Sequence, residues 1–541
     1  FKGESGDFQD VDYLIVTAPF LLQPALRLAN YHKNNNGLNV KVVTTDKIYQ
    51  EFSSGKQDIG AIRNFVRYIY NNASSSDNRI KYLCLFGDAS VDYKNRLSGN
   101  NNIVPTFHTL SSTSESSSFM SDDFFGNMDP DEGTIGGNTL NALGEILSDT
   151  DLLDVAVGRI LADNVGLANS LVDKIIAYSS KESYGNWRNN FMLISDDVDK
   201  PGEQNLEIEL DALGDEISEE KPFINVKKIH IDAYQQQTSS GGERYPQVNE
   251  DIKNNIEVGA LIVNYFGHGG EDGLAHEFIY TKDLGSNLKN KNRYTCIVTI
   301  TCQFTKFDNP QRITAGELTY WNKEGGAISL VTTTRSIGLF AGVRFNKELA
   351  KHLFGYGLNV PETPAEALRL AKNGLGTGER LRRVVFYIGD PAMHLAFPKK
   401  NVRLTTINGE PVGQSPDVLQ ALGKVKMGGE VTDENGNVLT NYNGVLSAKV
   451  FDKRLERQTL DNDGQGFVLD FTTLGETLFN GQATVEDGNF EFEFVVPRDI
   501  QIPVGTGRVN FYTEKDNALE DQAGVDLSVQ IGGINENAPE D

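Results

Sequence analysis

Short apolar runs recur along roughly the first 395 residues: Val11–Val16, Lys81–Phe86, Phe191–Ile194, Ala260–Phe266 and Thr295–Thr301, each ending near Gly, Asp or Ser. Runs without polar alternation, bounded by loop residues, predict strands buried on both faces, as in a parallel sheet. Between them lie helix-like segments, Pro24–His32, Ile59–Tyr70 and Val165–Ser179. Such alternation predicts an α/β architecture with helices on both faces. The pattern runs twice. One set of strands ends near Arg159, a helix reaches about Glu182, and a second set begins at Trp187. Two α/β units are therefore expected, over residues 1–185 and 186–398. The Ser-rich stretch Leu110–Gly137 reads as a surface excursion beside the first.

After Pro398 the texture changes. Asn489–Val496 alternates strictly, with Phe490, Phe492 and Phe494 on one face and Glu491 and Glu493 on the other. Turn signals at Asp433–Asn437, Asp461–Gly466 and Glu486–Asn489 recur without convincing helices, so residues 399–541 predict an all-β, immunoglobulin-like sandwich. Asn535–Asp541 reads as a solvated tail.

Composition narrows the function classes. Hydrophobic residues make up 39% of the 541 positions, enough for large cores, which excludes wholesale disorder. Lys and Arg number 50 against 75 Asp and Glu, a net charge of −25 that phosphate backbones would repel; no nucleic acid partner is expected. Three cysteines, Cys84, Cys296 and Cys302, leave one over in any disulfide scheme and lack the paired spacing of a zinc site. No run approaches the ~18 apolar residues of a membrane-spanning helix. The chain opens at Phe1 without Met or a signal-peptide pattern, which reads as a processed form or fragment.

The chemistry concentrates at two strand ends. Ala260–Phe266 runs into Gly267-His268-Gly269-Gly270, and Thr295–Thr301 runs into Cys302. On adjacent parallel strands, His268 and Cys302 would meet at the carboxyl edge of the sheet, where open α/β sheets bind ligands. A thiol attacks only as thiolate, and a neighbouring imidazole takes its proton. The amides of Gly269 and Cys302 would then face a developing oxyanion. Cys84 and Cys296 lie within apolar runs and read as core. Rival uses of the same residues are zinc and phosphate binding. His268 and His276, with Glu271, Asp272 and Glu277 nearby, match no familiar zinc spacing. His32, His108, His230, His352 and His394 are scattered, and the Gly-rich turn lacks a Walker lysine.

Gly-His-Gly closing one strand and Cys closing the next resembles the gingipain family of caspase-like cysteine peptidases. So do Tyr82–Asp88, Ser121–Gly126 and Asp154–Ile160, in the same order, over about residues 10–398. Phe386–Pro398, Ala421–Val425, Gly429–Gly436 and Phe490–Asp499 resemble the branch of that family that serves as type IX secretion sortases. The resemblance implies a caspase-like fold followed by a β-domain, His268 as catalytic base and Cys302 as nucleophile. Asp154 stands where gingipains carry a His-orienting acid, here one methylene shorter. No acidic residue is assigned to the floor of an arginine-selective pocket. No cofactor is implied; Ca²⁺ is the ion that acidic loops such as Asp129–Glu132 would suit.

The branch further implies a cysteine endopeptidase and transpeptidase acting as a C-terminal signal peptidase. It would cleave secreted cargo proteins that bear a C-terminal signal domain, and join the new terminus to a lipopolysaccharide amine through a thioester. The implied location is the bacterial cell surface, peripherally attached through an outer-membrane anchoring protein. The alternatives are a secreted digestive endopeptidase and a non-catalytic scaffold subunit of a secretion complex.

Overall fold

Ten strands make one mixed sheet in a computed structural model that describes residues 8–109, 118–129, 132, 152–240, 242–375, 381–413 and 418–535. They are β1 (Tyr13–Thr17), β2 (Val40–Thr44), β3 (Tyr82–Phe86), β4 (Ala156–Ile160), β5 (Asn190–Ser195), β6 (Asn225–His230), β7 (Ile262–Phe266), β8 (Thr295–Ile300), β9 (Ala327–Thr333) and β10 (Val385–Ile388). Their order across the sheet is β2-β1-β3-β4-β10-β9-β8-β7-β5-β6. Each predicted apolar run coincides with one of these strands, and β1, β7, β8 and β9 are buried along their whole length.

The two α/β units share this sheet. All neighbours pair in parallel except β9 and β10, which are antiparallel. The chain returns after the second unit to lay β10 against β4, with Ile388 opposite Arg159. The predicted helices appear as α1 (Leu22–Asn35), α2 (Ile59–Asn71) and α3 (Val165–Tyr178). Asp58 and Asn164 start the last two by accepting the amides of Gly60 and Leu167, donors the first helical turn leaves unpaired.

Three of the sequence motifs converge on one buried guanidinium. Arg159, fully buried on β4, donates from Nε and Nη2 to the two Asp122 carboxylate oxygens at 2.7 Å each. Its Nη1 donates to the carbonyls of Gly87 and Val104, both at 2.8 Å. A forked arrangement that gives every guanidinium nitrogen an acceptor is what allows an Arg to be buried. It also corrects the expectation for the Ser-rich stretch. Its described part, 118–129, is no surface excursion, because Phe119, Met120, Asp122 and Phe125 are buried against the sheet. Residues 110–117, 130–131 and 133–137 lie outside the described residues, as does the predicted tail from 536 onward.

The second domain is mostly antiparallel, with a nine-stranded and a three-stranded sheet around their own apolar core. In Asn489–Val495 the predicted alternation is realised, Phe490, Phe492 and Phe494 pointing inward and the glutamates outward. This domain docks on the β5–β6 side of the main sheet. Arg188 pairs with Asp521 at 2.7 Å, Asn510 Nδ2 donates to the Phe223 carbonyl at 3.0 Å, and the amides of Asp461 and Asn462 donate to the Asp232 carboxylate. No helix among the described residues is long and apolar enough to cross a membrane.

Asp122→Ala would leave Arg159 buried and charged without its partner. The expected loss is about 3–5 kcal/mol of stability, read from the urea unfolding midpoint.

Candidate active site

His268 and Cys302 are brought level by strand register. β7 and β8 pair in parallel from Ile262↔Cys296 to Phe266↔Ile300, a constant offset of 34 residues. The same 34 residues separate His268 from Cys302, so both leave the sheet at one height on neighbouring strands. The turns that carry them are in contact. A Cβ on Gly269 would lie 2.6 Å from Thr301 Oγ1, so only glycine fits beside the residue that precedes Cys302. Gln303 follows with φ +55°, a left-handed residue that turns the chain sharply just after the thiol. Cys302 is half-buried, whereas Cys84 and Cys296 are buried. Burial pushes the Cys296 thiol up to about 12 and Cys84 higher still, so both stay protonated core residues.

The carboxylate beside His268 belongs to Asp196. β5 pairs with β7 on its other side, Ser195 facing Phe266, and the next residue of β5's chain is Asp196. Its Oδ2 lies 3.0 Å from His268 Nδ1 and accepts the His268 amide at 2.5 Å. The close fit again depends on glycine, since a Cβ on Gly267 would meet Asp196 Cβ at 2.3 Å. Tyr265 Oη donates to the His268 carbonyl at 2.6 Å and accepts the Ala275 amide at 3.1 Å, fixing the turn from beneath. Glu203 Oε1 lies 3.3 Å from Nε2, on the ring's other edge.

The hydrogen bond to Asp196 raises the His268 pKa above the ordinary imidazole value of 6.5. Burial opposes it, and the charges of Asp196, Glu203 and Asp199 reinforce it. Burial pushes the Asp196 carboxyl up, while its bonds to His268 pull it back. Together these groups can hold an imidazole in one orientation, accept a thiol proton and keep it. That is the chemistry of an activated cysteine nucleophile.

Asp154 does not join them, and the expectation that it orients His268 is corrected here. It precedes β4, which lies four strands from β7, about 19 Å at ordinary strand spacing. Its oxygens are occupied by Tyr70 Oη at 3.0 Å and the Met128 amide at 2.8 Å. Asp196 was missed because Phe191–Ile194 carries no signal of which strand it adjoins; the available hint was the acid-rich Ser195-Asp-Asp-Val-Asp199 directly after it.

Other predicted neighbours take separate places. His276 packs against His268, the rings tilted by 41° with centroids 4.8 Å apart, and pairs with Asp199 at 2.7 Å. Glu271 is bridged to Lys306 and Arg312, and Asp272 to Lys282 and Arg312, tying the Gly-rich turn to the segment after Cys302. Asp308, in that segment, is bound by both terminal nitrogens of Arg335. Asp199, Glu203 and His268 each offer a metal-ligand atom within 4.8 Å of the others. Glu132 accepts the amides of Asp129 and Leu152.

The family model described as Peptidase family C25 matches residues 7–396. No curated protein matches the chain by sequence. Among solved structures, the Arg-specific cysteine proteinase gingipain R (RgpB) aligns with a TM-score of 0.54 at 14% identity, over 97% of this chain and 98% of that one. The complex of RgpB pro- and mature domains from Porphyromonas gingivalis gives 0.51 at 15% identity, over 95% and 100%. Dimeric latent PorU from Porphyromonas gingivalis gives 0.43 at 22% identity, over 99% of this chain and 44% of that one; the chain spans under half the length of PorU. The RgpB matches show a shared fold.

Iodoacetamide applied to the native protein should alkylate Cys302 and spare Cys84 and Cys296, as read by peptide mass spectrometry. Asp196→Asn should lower kcat/KM on a peptide substrate by about 10²–10⁴-fold. Asp154→Asn should leave it within about threefold, since that residue lies away from the reacting groups. If neutral His268 accepts the thiol's proton, the acid limb of the kcat/KM profile should sit above 6.5 and move down in Asp196→Asn.

Proposed function

Since the chain belongs to peptidase family C25, the gingipain family of cysteine peptidases, we propose that Cys302 is its nucleophile, His268 its general base and Asp196 the residue that positions His268. The observation that carries this reading is the shared 34-residue offset that sets His268 level with Cys302 while Asp196 closes from the opposite strand. His268 accepts the Cys302 proton, and the sulfur attacks the scissile carbonyl carbon. The tetrahedral oxyanion would be met by the amides of Gly269 and Cys302. As the C–N bond breaks, the proton passes from His268 to the leaving amine, and a thioester remains. Water then releases a carboxylic acid, or an amine forms a new amide. In either case the sulfur leaves as thiolate and the nucleophile's proton goes to His268.

We further propose that the substrate is a secreted cargo protein with a C-terminal signal domain, and that the acceptor is an amine of surface lipopolysaccharide. The enzyme would then act as a type IX secretion sortase, held peripherally at the outer membrane by an anchoring protein. What supports this over a digestive role is the resemblance of Phe386–Pro398 to that branch, together with the state of the acids on the Cys302 side. Asp308, Glu271 and Asp272 are all engaged by Arg or Lys, so none is left to attract a basic substrate side chain.

Replacing Cys302 by Ala in the producing cell should leave cargo with its C-terminal domain attached. Normal trimming in that strain would sink the sortase reading. Purified enzyme given a cargo C-terminal region and an amine should yield both the hydrolysed and the amine-joined product. Rapid degradation of unfolded casein would indicate a digestive enzyme. A peptidyl probe that labels Cys302 no faster than a free thiol would indicate a scaffold.

A further inference from the structure

The main sheet has an open edge at β6, between two contacts with the second domain. Among the described residues β6 pairs with β5 alone, so the outer side of the strand is left for another partner. Just before β6, Arg508 and Asn510 of the second domain donate to the carbonyls of Ile224 and Phe223, at 2.9 and 3.0 Å. At its end, the rings of His230 and Phe471 meet with centroids 4.5 Å apart. Between these points no described hydrogen bond from the second domain reaches the backbone of Val226, Lys227, Lys228 or Ile229. A cleft of ≈ 600 Å³ runs beside this stretch, faced from across it by Lys449, Phe451 and Phe471.

The walls of the cleft are unlike the rest of the molecule. The chain carries 75 acidic residues against 50 basic ones, yet no Asp or Glu lines the cleft, while Lys227, Lys228, Lys449 and Arg457 do. Lys228 is neutralised by Asp211 and Asp215. The side chains of Lys227, Lys449 and Arg457 have no ion-pair or hydrogen-bond partner among the described residues. Lys449 is half-buried, and burial pushes its pKa down with no carboxylate opposing the shift. Asn225 also lines the cleft at 9% exposure, and its Oδ1 accepts no hydrogen bond. Val258, 66% exposed, adds apolar surface.

An occupant must therefore bring negative charge for the cations, N–H groups for Asn225 Oδ1 and the edge carbonyls, and carbon for Val258 and Phe451. Phosphate has no N–H to give. An extended peptide supplies all three, and its backbone repeat matches that of an edge strand. We propose that an extended acidic segment of a partner protein adds to β6 along Val226–Ile229, with its carboxylates paired to Lys227, Lys449 and Arg457. Asn190 and Ala260, at the amino ends of β5 and β7, also line the cleft, so it lies away from the carboxyl edge that carries His268 and Cys302. The segment is thus docked rather than presented for cleavage, and the inference does not rest on the peptidase reading.

The test uses the full chain carrying Cys302→Ala, so that a peptide cannot be consumed, and a fluorescein-labelled octapeptide of alternating Glu and Val read by anisotropy. The probe should bind, and added salt should weaken it. Lys227→Gln and Lys449→Gln should each cost about tenfold in affinity. Arg457→Gln, on an exposed side chain that folding does not need, should cost about threefold. Lys41→Gln, on the opposite edge strand β2, should cost nothing. Methylating alternate peptide nitrogens of the probe should abolish binding, and hydrogen exchange at Val226–Ile229 should slow in the complex. Equal binding of a Gln-Val probe or of the methylated probe would overturn the proposal, as would losses no larger in the three cleft variants than in Lys41→Gln. Inorganic phosphate or phosphatidylglycerol vesicles that bind at these lysines when the peptide does not would replace it with a free or lipid phosphate. Self-association lost in the lysine variants, again without peptide binding, would replace it with a second copy of this chain.

Discussion

The pairing of Ile262–Phe266 with Thr295–Ile300 is the constraint on which the site depends. A parallel ladder allows no slippage when both strands are buried on both faces, because a one-residue shift exchanges every side chain between faces. With the register set, His268 and Cys302 emerge together whatever the loop between them does. Close packing of Gly269 on Thr301 and of Gly267 on Asp196 turns that coincidence of height into contact between turns. His268, Cys302 and Asp196 therefore sit just past the ends of three adjacent strands, rigid supports that hold geometry better than long loops.

The motifs that carry the family resemblance serve mainly to hold this frame together. Asp122, Gly87 and Arg159 come from separate motifs and meet in one buried hydrogen-bonded fork. Asp390, from the block after β10, accepts from Tyr13 at 2.8 Å and pairs with His32 at 2.5 Å, both inside the core. These contacts fasten the first unit to the last strand of the second. The buried polar groups are what make one arrangement of ten strands preferable to others that would bury equal apolar area.

Electrostatics around His268 follow from the same crowding. Asp196 at the end of β5 and Asp199 and Glu203 from the segment after it converge on the imidazole, within a chain whose net charge is −25. On the Cys302 side the acids are neutralised by Arg312, Lys306 and Arg335. The site is thus acid-rich behind the histidine and charge-balanced beside the thiol. The second domain adds to this rather than standing apart, since its Asp461–Gly466 turn is bound by Asp232 and brings Asp463 towards the same cluster.

Strand identity, the α/β class, the change of texture after Pro398 and the His268–Cys302 pair were legible in the chain, because each is written in local periodicity or in residues that end a strand. The inward face of Asn489–Val495 was legible for the same reason. The carboxylate partner was not. Asp154 and Asp196 both stand near strand ends, and nothing in their neighbourhoods says which strand will lie beside β7. That depends on the order β8-β7-β5 across the sheet, which is decided by how helices and connections pack over both faces. Likewise, the burial of 118–129 follows from one long-range fork to Arg159, not from its Ser-rich composition. By itself the sequence determined which residues could react; only the tertiary structure decided which acid stands behind the histidine, because side-by-side strand order is a property of the whole packed sheet.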